Sequence, residues 1–490
     1  MSLTLAYNIA RSALTTSASR ANVVSNNVAN ADNPDAARKT ALVATGVGGT
    51  SHLVGIAGEV DRALFDRALE SNAAKSQASA LSQVLEQLAA VAGDPEAGGS
   101  PAQLIGGLKA ALQTASSASH DEAALQGVLT AADALARGLN AASELNQRVR
   151  SQTNAELGSS ITELRALLED IEDVNRVIVG GTALGDTNLA DDVDRRNGLV
   201  RSISGLVDVR VVMRGDNNMT LYLANGVTLF ETSPRDIAFD ASAPVLPGQP
   251  GPGLRIDGVP AQLGVGVGGK IGGLMIARDN ELFKLGRQLD EIARGLIVST
   301  AESDQSSAAT LPDLAGLLTY GGGPALPPSG VVVDGLAGSI RVNANADPAR
   351  GGALNRIRDG GISDPGAPGY NYNGTSGLAF NGRLIELIDS LASTQQFDPA
   401  TGLASSPGGV QQYASTSAGW LNEQRRTSSE VDENQAVLAD RALGAWQSRV
   451  GVNLDTELAA LIALERSYQA STRLISSVNS MFDSLLDATR

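Results

Sequence analysis

A chain of 490 residues is too long for one hydrophobic core, so roughly two to four domains are expected. Its formal net charge of −16 and its 3% aromatic content argue against nucleic acid as a partner, since there is neither a basic stripe nor a base-stacking platform. The absence of cysteine excludes disulfide, zinc-thiolate and thiol-nucleophile chemistry together. No apolar run reaches membrane-span length, and no basic-then-apolar stretch opens the chain as a cleaved secretory signal would.

The first predicted element is a helix over residues 1–31. Leu3, Tyr7, Ala10, Leu14, Ser17, Ala21, Val24 and Val28 follow a 3–4 spacing, which makes one seam. Residues 36–60 read as a Gly/Ala/Thr-rich linker or short strands. A helix is predicted over 61–92, with Leu64, Leu81, Leu85 and Leu88 as anchors and Gly93-Asp94-Pro95 as its stop. A clearer one covers 121–156 through Leu125, Val128, Ala132, Leu135, Leu139, Ala142 and Val149. The helical period continues over 158–179 through Ile161, Leu164, Leu168, Ile171 and Ile178. Gly158 is expected to kink or turn the chain, and Gly180-Gly181 to break it. The small Ala seams suit close packing in a rod-like bundle.

The period changes near residue 206. Val207, Val209 and Val211 alternate as a strand does. A hairpin turn is expected at Gly215–Asn218, a type I′ turn at Asn225-Gly226, and another hairpin at 254–263 around Asp257-Gly258. Helix returns over 274–303. Residues 304–377 are rich in Gly, Pro, Ala and Ser, with two short β-like runs, VVVDG and SIRVN, and read as an irregular, outward-facing insertion. Residues 378–395 are helical, 397–412 a loop, and 414–449 a polar helix that Gly451 punctuates. In the last segment Leu454, Leu461, Tyr468, Ile475 and Phe482 fall seven apart. Leu464, Val478 and Leu485 supply a second apolar position, with Ser471 as its weak member. Two seams of this kind want a partner helix, and the simplest partner for one is the other.

Four constellations could carry chemistry, and each has a plainer reading. Gly264–Lys270 has the spacing of a phosphate loop before a helix. Ile271 stands where a Ser or Thr would have to hold magnesium, so a glycine-rich connector is the better reading. Asp191, Asp192 and Asp194 lack the alternating ligands and closing Glu of a calcium loop; solvated helix pairs with Arg195 and Arg196 are expected. Arg214-Gly215-Asp216 would read as an adhesion tripeptide, but it sits where a hairpin needs glycine. His52 and His120 are the only histidines, which leaves neither a metal set nor a Ser-His-Asp triad in view. No catalytic residue, cofactor or metal is expected.

Several stretches carry a resemblance. SNNVANADNP at 25–34 is similar to the N-terminal signature of the flagellar rod, hook and hook-associated axial proteins. GVNLDTELAALIALERSYQASTRLISSVNSMFDSLLD at 451–487 is similar to their C-terminal motif. The wording of that motif resembles the hook–filament junction members, as do residues 186–213 and 268–297. The chain departs from the family after Asn33, where PDAARKT replaces a Thr-Gly-Tyr-Ser/Thr-Arg run.

The resemblance and the periodicity together imply a mainly α fold with inserted β. It is expected as a multidomain rod whose terminal helices pair as a coiled-coil-like bundle. Residues 1–35 with 450–490 would form the terminal domain, and 36–205, 268–303 and 378–449 the helical rod. Residues 206–267 would be a β insertion domain and 304–377 an outer insertion. The expected assembly interface comprises Leu3, Tyr7, Leu14, Val24, Asn26, Asn27, Val28, Leu454, Leu461, Tyr468, Ile475, Val478, Phe482 and Leu485. The implied partners are further copies in a ring, the hook protein, a second junction protein beside the filament, and an export chaperone on the C-terminal helix. Neither nucleic acid nor membrane is among them. The resemblance also implies export through the flagellar type III apparatus to the cell exterior.

Overall fold

The computed structural model describes residues 3–89, 99–260, 267–307, 309–403 and 408–488. Helix α1 spans Leu3–Ala29, and a hairpin of β1 (Lys39–Thr45) and β2 (Ser51–Gly58) follows. Helices α2 (Arg62–Glu86), α3 (Pro101–Ser117), α4 (Glu122–Leu184) and α5 (Ala190–Leu206) come next. Asp61 caps α2 by accepting from the Leu64 amide, so its start matches the expected one. Its expected stop at 93–95 lies outside the described residues. Helix α3 is not among the expected elements, although a capping box between Ser100 and Gln103 with Pro101 behind it opens it and Ile105, Leu108, Leu112 and Ala115 line one buried face.

Helix α4 is 63 residues long, about 95 Å at 1.5 Å per residue. It corrects the expected division at Gly158 and the break at Gly180-Gly181. A glycine costs a helix about 1 kcal/mol relative to alanine. That is outweighed by an unbroken buried line through Leu157, Ile161, Leu164, Leu168, Ile171 and Ile178. Gly158 is there for close approach: a Cβ on it would stand 2.6 Å from the Ala241 Cβ. The helix ends instead at Gly185, whose φ of 73° is left-handed and lets the Asp186 amide reach back to the Gly181 carbonyl.

Antiparallel strands β3 (Val209–Met213), β4 (Met219–Leu223) and β5 (Thr228–Phe230) form one small sheet. Strands β6 (Ile237–Ala238), β7 (Arg255–Ile256) and β8 (Val259–Pro260) form another. The hairpin at 215–218 is present, with the Arg214 amide donating to the Asn218 carbonyl. Asp257 and Gly258 both have positive φ, as a type I′ turn requires. At Asn225-Gly226 only Gly226 does, and Asn225 accepts from the Val227 amide instead, so that turn is not type I′. Residues 261–266, which include the rest of the expected hairpin, lie outside the described residues.

Helix α6 (Gly269–Ile276) runs through a π turn at Ala277–Glu281 into α7 (Leu282–Ser299). Fully buried Arg278 occupies that turn, held by Asp279, the Asn154 side chain and the Pro252 carbonyl. Short helix α8 (Asn355–Asp359), α9 (Gly382–Ala392), α10 (Val410–Val450) and α11 (Leu454–Ala488) complete the chain. Helix α10 runs antiparallel to α2: Arg425 meets Glu86 at 2.9 Å, and the rings of Trp446 and Phe65 lie 5.4 Å apart.

Segment 304–377 is irregular, as expected, but it is not a loose outward insertion. The VVVDG run forms no strand, and only Arg341–Val342 pairs, with Leu318–Thr319. Leu317, Leu336, Ala337 and Ile340 are buried in the same core as α4 and α7. Helix side chains tie its backbone down. Asn140 donates to the Ala337 carbonyl, and Asp290 accepts from the Gly335 and Ala337 amides. Glu302, just past α7, accepts from the Ile362 and Ser363 amides.

Candidate assembly site at the paired terminal helices

Helices α1 and α11 lie side by side and antiparallel. The Ser17 hydroxyl is 3.3 Å from that of Ser467, and the Asn27 amide donates to Glu457 at 2.9 Å. Ten residues forward along one helix thus match ten residues back along the other. Asn453 caps α11 by accepting from the Thr456 amide, and Gly451 carries the chain between α10 and α11 in extended conformation.

The line of contact differs from the expected one. On α11 the covered positions are Glu457, Leu464, Ser471 and Val478, seven apart. On α1 they are Ala10, Thr16, Ser17, Val23 and Asn27. The expected stripe of Leu454, Leu461, Tyr468, Ile475 and Phe482 lies beside this line: Leu461, Ile475 and Phe482 are half-buried, while Leu454 and Tyr468 are exposed. Of the other expected interface residues, Asn27 and Val478 are buried. Leu3, Tyr7, Leu14, Val24 and Val28 are half-buried, and Asn26 and Leu485 are exposed. Sequence reasoning passed over Glu457, Thr16 and Val23, because it sought one apolar stripe at the seam's centre, whereas two of the four covered positions on α11 and three of the five on α1 are polar. The signal was available: Glu457 stands seven before Leu464.

Apolar side chains flank the covered line on both sides of α11. At 3.6 residues per turn, Leu454, Leu458 and Ile462 fall on one flank and Leu474 and Met481 on the other. Each is 45–58% exposed. The β1–β2 hairpin folds back along α1, where Thr16 donates to the Ser51 carbonyl and the Ser51 amide to Ser12.

The remaining candidates resolve as structural contacts. Asp191 and Asp194 face Lys39 across from α5, so the expected solvated pairs with Arg195 and Arg196 are not what they make. Burial pushes Asp194 up to about 6 against the pull of Lys39. Burial works to lower the Lys39 amine, but Asp191 and Asp194 outweigh it and leave it above its ordinary value. Arg196 is buried and bonds to the Asn175 side chain and the Asn217 carbonyl. Burial and the neighbouring Arg62 lower it to about 10. Lys270 pairs with Glu156 at 2.8 Å, and Gly268 and Gly269 adopt positive φ tight against Asp208 and Leu206. The Gly264–Gly266 part of that motif lies outside the described residues. Arg214 pairs with Glu231 at 2.5 Å beside its turn. Among the described residues, no group of three or more His, Asp or Glu side chains is arranged to hold a metal ion. A cleft of about 490 Å³ lies between α2, α5 and the end of α10, walled mainly by apolar groups such as Val193, Met213, Met219 and Trp446.

Comparison with known proteins bears on both the body and the pair. Residues 85–309 match the family described as flagellar hook-associated protein FlgK helical domain. The helical body is thus similar to that domain over 85–309. Residues 447–488, which contain α11, match the flagellar basal body rod FlgEFG protein C-terminal family. The hook-associated protein 1 sequences of Salmonella typhimurium and Salmonella typhi are each 26% identical to the chain over 239 residues. That match takes in 46% of this chain and 42% of theirs, so the chain spans less than half the length of these curated relatives. A solved structure, the flagellar hook junction protein FlgK from Burkholderia pseudomallei, is 24% identical with a TM-score of 0.43, covering 52% of this chain and 47% of that one. The mainly α body carries small β insertions, and its last helix lies in the stretch similar to the rod proteins' C-terminal family.

Proposed function

We propose that the chain is a non-enzymatic structural subunit of the bacterial flagellum, forming the junction ring between hook and filament. The observation that carries this reading is the antiparallel terminal pair, flanked by half-exposed Leu454, Leu458, Ile462, Leu474 and Met481, on a hook-associated helical body. A thin private interface with apolar flanks favours burial against neighbouring copies. A flank on one copy that packs on a different surface of the next makes a head-to-tail contact, which closes into a ring or continues as a helix. In this reading Leu3, Tyr7, Leu14, Val24, Asn26, Asn27, Val28, Leu454, Leu461, Tyr468, Ile475, Val478, Phe482 and Leu485 are the assembly residues. The axial partners are the hook protein below and a second junction protein above. A chaperone covers α11 before export to the cell exterior.

The alternative is a hook or other axial subunit, favoured by the rod-type match of residues 447–488. Deletion of the protein followed by electron microscopy separates the two. The junction reading expects hooks of normal length without filaments, filament subunits in the medium and loss of motility. Missing hooks would favour the alternative, and intact filaments would overturn both.

A further inference from the structure

We infer that the open face of the β1–β2 hairpin receives the α11 flank of the next copy, so that the ring closes hairpin to helix. The inference rests on the ring reading above and names the two surfaces that meet. From Thr40 to Gly58 the chain holds no Asp, Glu, Lys, Arg or Pro. Strands left open to water are normally blunted by such residues, and two strands alone are marginal in any case. A bulge at Leu42/Val43 leaves both of these consecutive side chains half-open, at 50% and 42%. Val54 is 46% exposed, and Val47 at the hairpin tip is fully exposed.

These two surfaces cannot meet within one copy. Ser12 and Thr16 of α1 bond to Ser51 of the hairpin, while Ser17 meets Ser467 of α11, so α1 stands between the two. They are nevertheless level with each other. The match of Ser17 with Ser467 sets Ile462 at the height of Asn22 on α1. Val54 falls near the same height, since Ser51 is bonded to Thr16 and β2 ends at Gly58, the ladder partner of the Lys39 that Asn27 holds. One copy thus presents three layers, hairpin, α1 and α11. The uncharged hairpin face lies at one end, and Leu458 and Ile462, each 51% exposed, lie at the other. Copies set side by side bury one face on the other without a shift along the axis, and a contact between two different surfaces repeats until it closes. At these exposures each face offers on the order of 300 Å² of apolar area. Two such faces together fall short of the roughly 1,200 Å² that a stable pair needs. The contact therefore forms in the assembly, where every copy makes it on both sides, and not between two copies in solution.

Disulfide trapping in flagella tests this, because the chain has no cysteine of its own. One cell produces two forms of the full chain, Val54→Cys and Ile462→Cys, and its isolated flagella are oxidised mildly. A disulfide-linked dimer should appear on non-reducing gels from these mixed flagella. It should be absent when either form is the only one made, and when the two purified forms are oxidised together in solution. Both forms present in the flagella without the dimer would overturn the inference. So would a dimer from Val54→Cys alone, which would mean that hairpins pair edge to edge. Val54→Lys gives a second measurement: it should be missing from isolated flagella while its body melts as the parent's does, and normal incorporation with normal motility would overturn the inference as well. Absence of the unaltered protein from isolated flagella would bring down the ring reading itself, and this inference with it.

Discussion

Replacing Leu464 by Asp strikes the terminal pair at its most covered apolar position. Leu464 is 7% exposed on α11, and Val478 is the only other buried apolar side chain of that helix. Losing a buried leucine costs about 1.5–3 kcal/mol. A carboxyl group left there without partners adds about 1–3 kcal/mol, even after it takes up a proton to avoid a buried charge. The sum, about 2.5–6 kcal/mol, is of the same size as everything that Val478 and the facing Ala10 and Val23 can return. The pair should therefore separate in the isolated protein while the body stays folded on its own core. Helices α1 and α11 hold 27 and 35 residues, so the helical far-UV ellipticity should fall by about a fifth, with the denaturation midpoint of the body unchanged. Ile462→Asp is the counterpart. Ile462 is 51% exposed on the flank, so the isolated protein should keep its full ellipticity and lose only its ability to join neighbouring copies, read as filament subunits in the medium. Full ellipticity for Leu464→Asp would show that this register does not hold the pair. Normal filaments for Ile462→Asp would show that the flank is no assembly surface.

Four further outcomes test the body. Arg294→Ala removes the partner of fully buried Glu291, which it holds at 2.8 Å, and should lower stability by about 3–5 kcal/mol in urea unfolding. Burial raises Asp290 to about 7 against the donated amides of Ala337 and Gly335. The folded chain thus holds this proton more tightly than the unfolded one. Its contribution to stability is complete below about pH 4 and is lost as pH rises through about 7, on the order of a few kcal/mol. Unfolding curves at the two ends of that window should show the loss in the parent and lack it in Asp290→Asn. Gly273→Ala would set a Cβ 2.4 Å from the Gln77 carbonyl oxygen and push α6 off α2, costing about 1–3 kcal/mol or more in thermal melts. Gly107→Ala, in open space on α3, should stabilise by about 0.5–1 kcal/mol.

Local sequence by itself determined the helices with long apolar lines, the strand region from 207 onward, two of the three turns, and the pairing of the chain's first and last helices. Those features rest on interactions within a few residues, or on one-sided apolar stripes that have few places to go. Tertiary structure decided the rest. Gly158, Gly180 and Gly181 read as breaks because a local rule cannot see the buried line that carries α4 through them. The seam's true centre went to Glu457, Ser471, Ser17 and Asn27, because a buried polar group is acceptable only where a partner satisfies it: Asn27 serves Glu457 and Ser467 serves Ser17 across the pair, while Ser471 donates one turn back to the Ser467 carbonyl. For the same reason the Gly/Pro-rich stretch from 304 to 377 reads as surface, although Asn140, Asp290 and Glu302 supply the bonds that let its backbone lie in the core. Periodicity reports which face of an element avoids water; which polar residues can join that face depends on donors and acceptors that only the fold brings within 3 Å.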